Sequence, residues 1–217
     1  MNADLEKATI PLYGNTKVTR EDWLTVALQL LVSKGVGEVK VLSISDRLGV
    51  SRSSFYWYFK SRKDLLAALL EDWEQANTAL LIRHADMPAA TITQAVCNLS
   101  RCWINPALFN HKLDFAIREW ARRDRAVRRR IDQTDSARVA AFAALFERFD
   151  FAPAEAEVRA RVMYFMQVGY YALELSEPIE ERIKRIHDYV LCFTGQTPRR
   201  AEIDALVAYA LKANGQG

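Results

Sequence analysis

The stretch VLSISDRLGVSRSSFYWYF, residues 41–59, decides the fold. Val41, Ile44 and Leu48 line one side of a short helix, and Gly49 follows where a backbone turn with positive φ is easiest. Ser51 is placed to cap a second short helix that runs to about Tyr58. Val50, Phe55 and Tyr58 or Phe59 return apolar contacts from that helix, and Ser45 is small enough to let the two helices cross closely. This is the spacing of a helix-turn-helix, whose second helix enters the DNA major groove.

Five consecutive aromatic residues, Phe55 to Phe59, cannot all point inward from one short helix. At about 100° per residue, Phe55 and Phe59 lie about 40° apart and define the inward face, with Tyr58 at its rim. Ser53, Tyr56, Trp57 and Lys60 project to the other side, Ser54 sits on the flank, and Arg52 is near the exposed N-terminal end. Large aromatic side chains on a solvent face call for a partner. Arginine pairs with guanine, serine reaches base or phosphate, and tyrosine hydroxyls bond phosphate. From Gly49 to Lys63 there are four cationic residues and no acid, so the segment attracts phosphate through counterion release. The plainer reading is a solvated basic face on an ordinary helix pair.

Upstream, residues 1–18 form a polar arm expected to be flexible, with Pro11 and Gly14. Thr19 precedes Arg20, Glu21 and Asp22, and acids in the first turn suit a helix N-terminus. Trp23, Ala27, Leu30 and Leu31 repeat at helical spacing until Gly35 and Gly37 end the element. Downstream, a long helix is expected from about Ser61 to Ala85. Further helices follow at roughly 89–104, 106–123, 125–149, 153–176, 178–194 and 198–213, with Pro106, Pro153, Pro178 and Pro198 near first turns. No period-two run and no internal repeat appear, so the fold class is all-α.

Composition excludes more than it identifies. A net charge of +3 names no partner by itself. Cys97, Cys102 and Cys192 are an odd number in a chain too long to need staples, and they read as reduced thiols. His84, His111 and His187 have no partner at zinc spacing, so no metal or other cofactor is expected. The first residues lack a signal pattern, and the most apolar stretch, Val162 to Leu175, is short for a bilayer and carries Gln167 and Glu174. The expectation is a cytoplasmic protein with no membrane partner. No phosphate-cradling glycine loop or nucleophile elbow is present, and Glu119 with Asp124 makes no acid–base pair, so no enzyme activity is expected.

From about Thr19 to Leu66 the sequence resembles the N-terminal domain of TetR-family transcriptional regulators. Ile44-Ser45, Gly49-Val50-Ser51, Tyr56, Phe59, Ser61-Arg62 and Leu65 carry the resemblance. It implies that Tyr56 binds phosphate, that Arg52, Ser53 and Trp57 face the groove with Ser54 and Lys60 beside them, and that Arg62 clamps backbone phosphate. Lys40 stands where a capping Thr or Ser is usual, so the cap is lost although a lysine there could bind phosphate; Ser45 replaces the usual alanine. The resemblance divides the chain into the arm, a DNA-binding domain at 19–62 and a helical ligand-binding and dimerisation domain at 63–217.

Within that last region, Val162 to Leu173 is apolar almost all round and so should be buried on every side, partly by a second subunit. Gly169 would permit a close crossing. Ile179, Ile183, Ile186, Val190 and Phe193 form a seam suited to helix packing. Val162, Phe165, Gly169, Ile183, Ile186 and Val190 are therefore the candidate homodimer interface. An aromatic set, Trp103, Phe115, Trp120, Phe142, Phe146, Tyr164 and Tyr170, could line a pocket for an apolar or aromatic effector, although aromatics at helical spacing also build core. The arginine-rich run IREWARRDRAVRRR, residues 117–130, reads first as a solvated helix junction.

The expected function is a ligand-responsive dimeric repressor that binds a palindromic double-stranded DNA operator and is released by a small apolar or aromatic effector. A helical small-molecule-binding protein, or an adaptor using the aromatic face for protein, would retain the same fold.

Overall fold

The computed structural model describes residues 18–175 and 177–215; most of the expected N-terminal arm lies outside them. The described residues form helices joined by turns, with no strand among them. Helix α1, Arg20–Lys34, begins at a reciprocal cap. Asp22 N–H donates to the Thr19 hydroxyl at 3.2 Å, and Thr19 N–H donates to the Asp22 carboxylate at 2.8 Å. Helix α2, Val41–Leu48, ends at Gly49, whose φ of 66° and ψ of 30° place it in the left-handed region. No atom would meet an added Cβ there, so the demand for glycine is purely one of backbone conformation.

A tight 3-10 helix, Arg52–Trp57, follows, then α3, Arg62–Trp73. The long helix expected from Ser61 to Ala85 is not uniform. A π-helical turn at Glu74–Ala79 separates α3 from α4, Leu80–Ala85. The wider turn has a polar cause. Both Asn77 and Thr78 are buried: Asn77 exchanges hydrogen bonds with the backbone of Asn110, and Thr78 accepts one from Arg138. The remaining elements are α5, Ile92–Ile104; α6, His111–Ala121; α7, Arg125–Glu147; α8, Pro153–Ala172; α9, Ile179–Ile183; α10, Ile186–Thr194; and α11, Arg200–Ala213. The single helix expected at 178–194 is thus two, and α6 starts five residues beyond Pro106, which lies in a turn.

Two apolar cores result. The first gathers Trp23, Ile44, Leu48, Phe55, Phe59, Leu65, Leu69 and Trp73, and takes in Leu113, Ile117, Trp120, Val127 and Ile131 from α6 and α7. The division of the chain near residue 62 is therefore not a division of packing, because α6 and the start of α7 complete the N-terminal core. The second core lies between α4, α5, α7, α8, α10 and α11, around Leu81, Val96, Leu99, Phe142, Phe146 and Met163.

A buried polar network crosses from one core to the other. Arg138, fully buried on α7, donates to Asp114 at 2.9 Å, to Thr78 at 3.0 Å and to the Tyr164 hydroxyl at 3.2 Å. Asp114 also accepts from the Trp73 indole at 2.8 Å and from Arg118 at 3.0 Å. Arg118 in turn holds Asp135 through both carboxylate oxygens, at 2.9 and 2.7 Å. Burial by itself would raise the Asp114 pKa, but Arg138 and Arg118 oppose it and leave the carboxyl below its usual range.

Removing Asp114 would strand a buried guanidinium, so Asp114→Ala should cost about 3–5 kcal/mol in urea unfolding at neutral pH. Because the folded pKa lies below the unfolded one, this contribution is fully present above about pH 4 and is lost as pH falls through the folded value. The gap between wild type and variant should narrow in acid. A constant gap down to the lowest pH at which both fold would contradict the assignment.

Candidate nucleic-acid interface

The segment after Gly49 is wound more tightly than the α-helix expected from Ser51 to Tyr58. Ser51 does not cap it through its side chain. Its hydroxyl instead bonds the Ser53 hydroxyl at 2.7 Å, while its carbonyl accepts from the Ser54 amide at 3.1 Å and the Ser54 hydroxyl at 2.8 Å. Ser54 is thereby half-buried and occupied within the turn.

Phe55 and Phe59 are buried, at 0% and 2% exposure, whereas Tyr56 and Trp57 are 64% and 73% exposed. Phe55 meets the Trp23 ring edge-on at 5.3 Å and stacks with Phe59 at 5.4 Å, so the inward face is held from both sides. Tyr58 lies between the faces, half-buried, with its hydroxyl donating to the Val18 carbonyl at 2.6 Å. Arg52, Ser53 and Lys60 are exposed with the two outward aromatics. Among the described residues, no carboxylate lies within salt-bridge distance of Arg52, Lys60 or Lys63. Lys40 flanks the start of α2 without capping it, paired with Glu38 at 3.0 Å in solvent.

Arg62, expected to clamp phosphate, is exposed and also serves the fold. Its guanidinium turns inward, donating from Nε to the Val39 carbonyl and from Nη2 to the Val36 carbonyl, each at 2.6 Å. The reason is local. The turn between α1 and α2 presents the Val39 carbonyl, and that of Val36 beside its bond from the Val39 amide, and the first residue of α3 reaches both.

The sequence model of the family described as "Bacterial regulatory proteins, tetR family" matches residues 24–69, the span just built. The HTH-type transcriptional regulator AcrR of Shigella flexneri is 39% identical over 60 residues, 28% of this chain and 26% of that protein. The tetracycline repressor protein class C of Escherichia coli is 38% identical over 55 residues, 25% of each chain. Residues 24–69 are similar to the N-terminal domain of the TetR family. The aligned part spans only about a quarter of these relatives' length. Solved structures extend the likeness in fold. AmtR of Mycobacterium smegmatis has a TM-score of 0.57 at 21% identity, covering 92% of this chain and 97% of that one. A TetR-family transcriptional regulator from Marinobacter aquaeolei VT8 has a TM-score of 0.58 at 16% identity, covering 91% and 99%.

The other expected sites are redistributed by the packing of the chain. Phe142 and Phe146 are fully buried, and Tyr164 is tied into the Arg138 network, where burial pushes its hydroxyl up to about 12. Trp120 belongs to the N-terminal core, and with half-buried Phe115 it borders an open cleft beside α1. Only Trp103 and Tyr170 of the aromatic set line the smaller cavity between α5, α8, α9 and α10. Gln167, Arg182 and Phe193 also line it, and of these the sequence had flagged Gln167 as the one polar residue in an apolar run.

The expected dimer seam also divides. Ile186 and Val190 are buried in the subunit's own core with Ile179 and Phe193, and Ile183 is half-buried, because α10 packs on α5 and α8. These residues are not open to a partner. Nor is the α8 run covered on every side. Val162 and Phe165 are 55% and 51% exposed, and Gly169 is half-buried on the same face; Val158 and Leu173 extend the stripe at 60% and 72%. The arginine-rich junction is mostly paired or solvated: Arg128 binds Asp132, Arg130 binds Glu74, and Arg122, Arg125 and Arg129 are exposed.

Arg62→Ala should lower N-terminal-domain stability by roughly 1–3 kcal/mol, since two charged-donor hydrogen bonds are lost at a partly solvated site. Trp57→Ala should leave it within about 0.5 kcal/mol of wild type. Chemical denaturation of both variants checks this, and an unchanged midpoint for Arg62→Ala would contradict the holding role.

Proposed function

We propose that the protein is a dimeric repressor that binds a palindromic DNA operator and leaves it when a small molecule binds its C-terminal helices. One observation carries the DNA reading. The helix Arg52–Trp57 is locked by Phe55 on one side and presents Tyr56, Trp57, Arg52 and Lys60 on the other, with no salt bridge to either cation's side chain among the described residues. Arg52 and Ser53 would read base edges, while Tyr56, Lys60 and Lys40 would bond phosphate. Arg62, expected to clamp phosphate, also holds the turn before α2 in place.

The α8 stripe supports the dimer. Val158, Val162, Phe165, Gly169 and Leu173 make an exposed apolar face on a helix whose other side is core, and a second copy would cover it with the same face. Two recognition helices one duplex turn apart then require an inverted repeat. The names of the relatives, a tetracycline repressor among them, support repression rather than activation.

The test is binding to duplex from upstream of the protein's own gene across a salt series. Specific binding should weaken with a log–log slope of about −0.9 for each phosphate neutralised, so a steep line is expected. Phe165→Arg should reduce the affinity for a two-half-site fragment to that for a single half-site. Equal, weak binding to every duplex would sink the DNA reading. Unchanged affinity of Phe165→Arg would sink the stripe as the dimer face.

A further inference from the structure

We infer that the cavity between α5, α8, α9, α10 and α11 binds a small organic monocarboxylate, with its short apolar chain or single ring inside and its carboxylate at Arg182. This rests on the effector reading above and names the ligand class for it. The cavity measures about 90 Å³, and Trp103, Ile183, Ile186, Val190, Phe193 and Leu206 supply its apolar wall. An engineered cavity of about 150 Å³ admits benzene, so this one holds about four carbons as it stands, and a longer chain or a ring after a side-chain shift.

Two polar features set the head group. Gln167 lines the cavity and is 91% buried; its amide nitrogen makes no well-formed hydrogen bond, its neighbour being the Tyr171 hydroxyl, which a ligand oxygen would supplement. A buried N–H without a well-placed acceptor is costly, and a ligand oxygen would satisfy it. The charge at the mouth is positive. Arg185 neutralises Glu177 at 2.6 Å, whereas Arg182 lies over the Tyr170 ring at 5.4 Å with no carboxylate within salt-bridge distance among the described residues. With Glu177 shared between Arg185 and Arg182, the mouth keeps a net positive charge, which disfavours an ammonium and favours a carboxylate.

Calorimetry on the full chain tests this with hexanoate and benzoate, against hexanol and hexylammonium. Saturable one-to-one binding is expected for the carboxylates, about tenfold tighter than for hexanol, with none for the ammonium. Arg182→Ala should erase the preference for hexanoate over hexanol. Gln167→Leu should abolish carboxylate binding while raising the unfolding temperature, because it removes the poorly bonded amide; a merely structural glutamine would do the reverse. No saturable carboxylate binding, equal affinity for hexanol, or a preference that survives Arg182→Ala would each overturn the proposal. Adding hexanoate to the protein–DNA complex separates the two readings. If hexanoate binds but the complex persists, the cavity assignment stands and the effector reading falls.

Discussion

The structure of the N-terminal domain depends on the burial of Phe55 against Trp23. The helix that carries Phe55 spans only Arg52–Trp57 and has little hydrogen bonding of its own, so its orientation comes from what its buried side touches. With Phe55 and Phe59 fixed in the core, Tyr56 and Trp57 have only the outside to occupy. The left-handed Gly49 sets the angle at which this helix leaves α2, and Arg62 ties the preceding turn from the other end. The outward face proposed to read DNA is thus a by-product of a core contact, in that the same five aromatics settle both.

The second constraint is the Arg138–Asp114 pair. It joins Trp73, at the end of α3, to α6, α7 and α8, and it draws Thr78 inward at the π-helical turn. The network lies between the recognition helix and the Gln167 cavity, so a signal from one to the other would have to be carried or resisted there. Its full satisfaction favours a single resting arrangement.

Much of this was legible in the sequence, and the failures have physical causes. The spacing Ile44, Gly49, Phe55, Phe59 reports which residues face inward because a short amphipathic helix pair allows few solutions. The all-α class followed from helical periodicity alone. What periodicity cannot show is which of two apolar surfaces covers a given stripe. Ile186 and Val190 read as a seam for a partner, but α5 and α8 of the same chain took them, while Phe165 and Val162 were left outside. Phe142 and Tyr164 read as pocket walls for the same reason. The hold of Arg62 on the carbonyls of Val39 and Val36 had no sequence signal, because they lie 23 and 26 residues away. Arg138, Asp114 and Thr78 carried no signal, since a buried network forms between residues too distant in the chain to share a pattern.

The central claim is that the outward face of the Arg52–Trp57 helix, and not the fold in general, selects DNA sequence. Recovering the duplexes that the protein binds from a random pool tests it most directly. Wild type should enrich an inverted repeat whose half-site centres lie about one duplex turn apart, near 10 base pairs. Arg52→Ala with Trp57→Ala, folded by circular dichroism, should enrich none. Recovery of the same repeat by that variant would contradict the account.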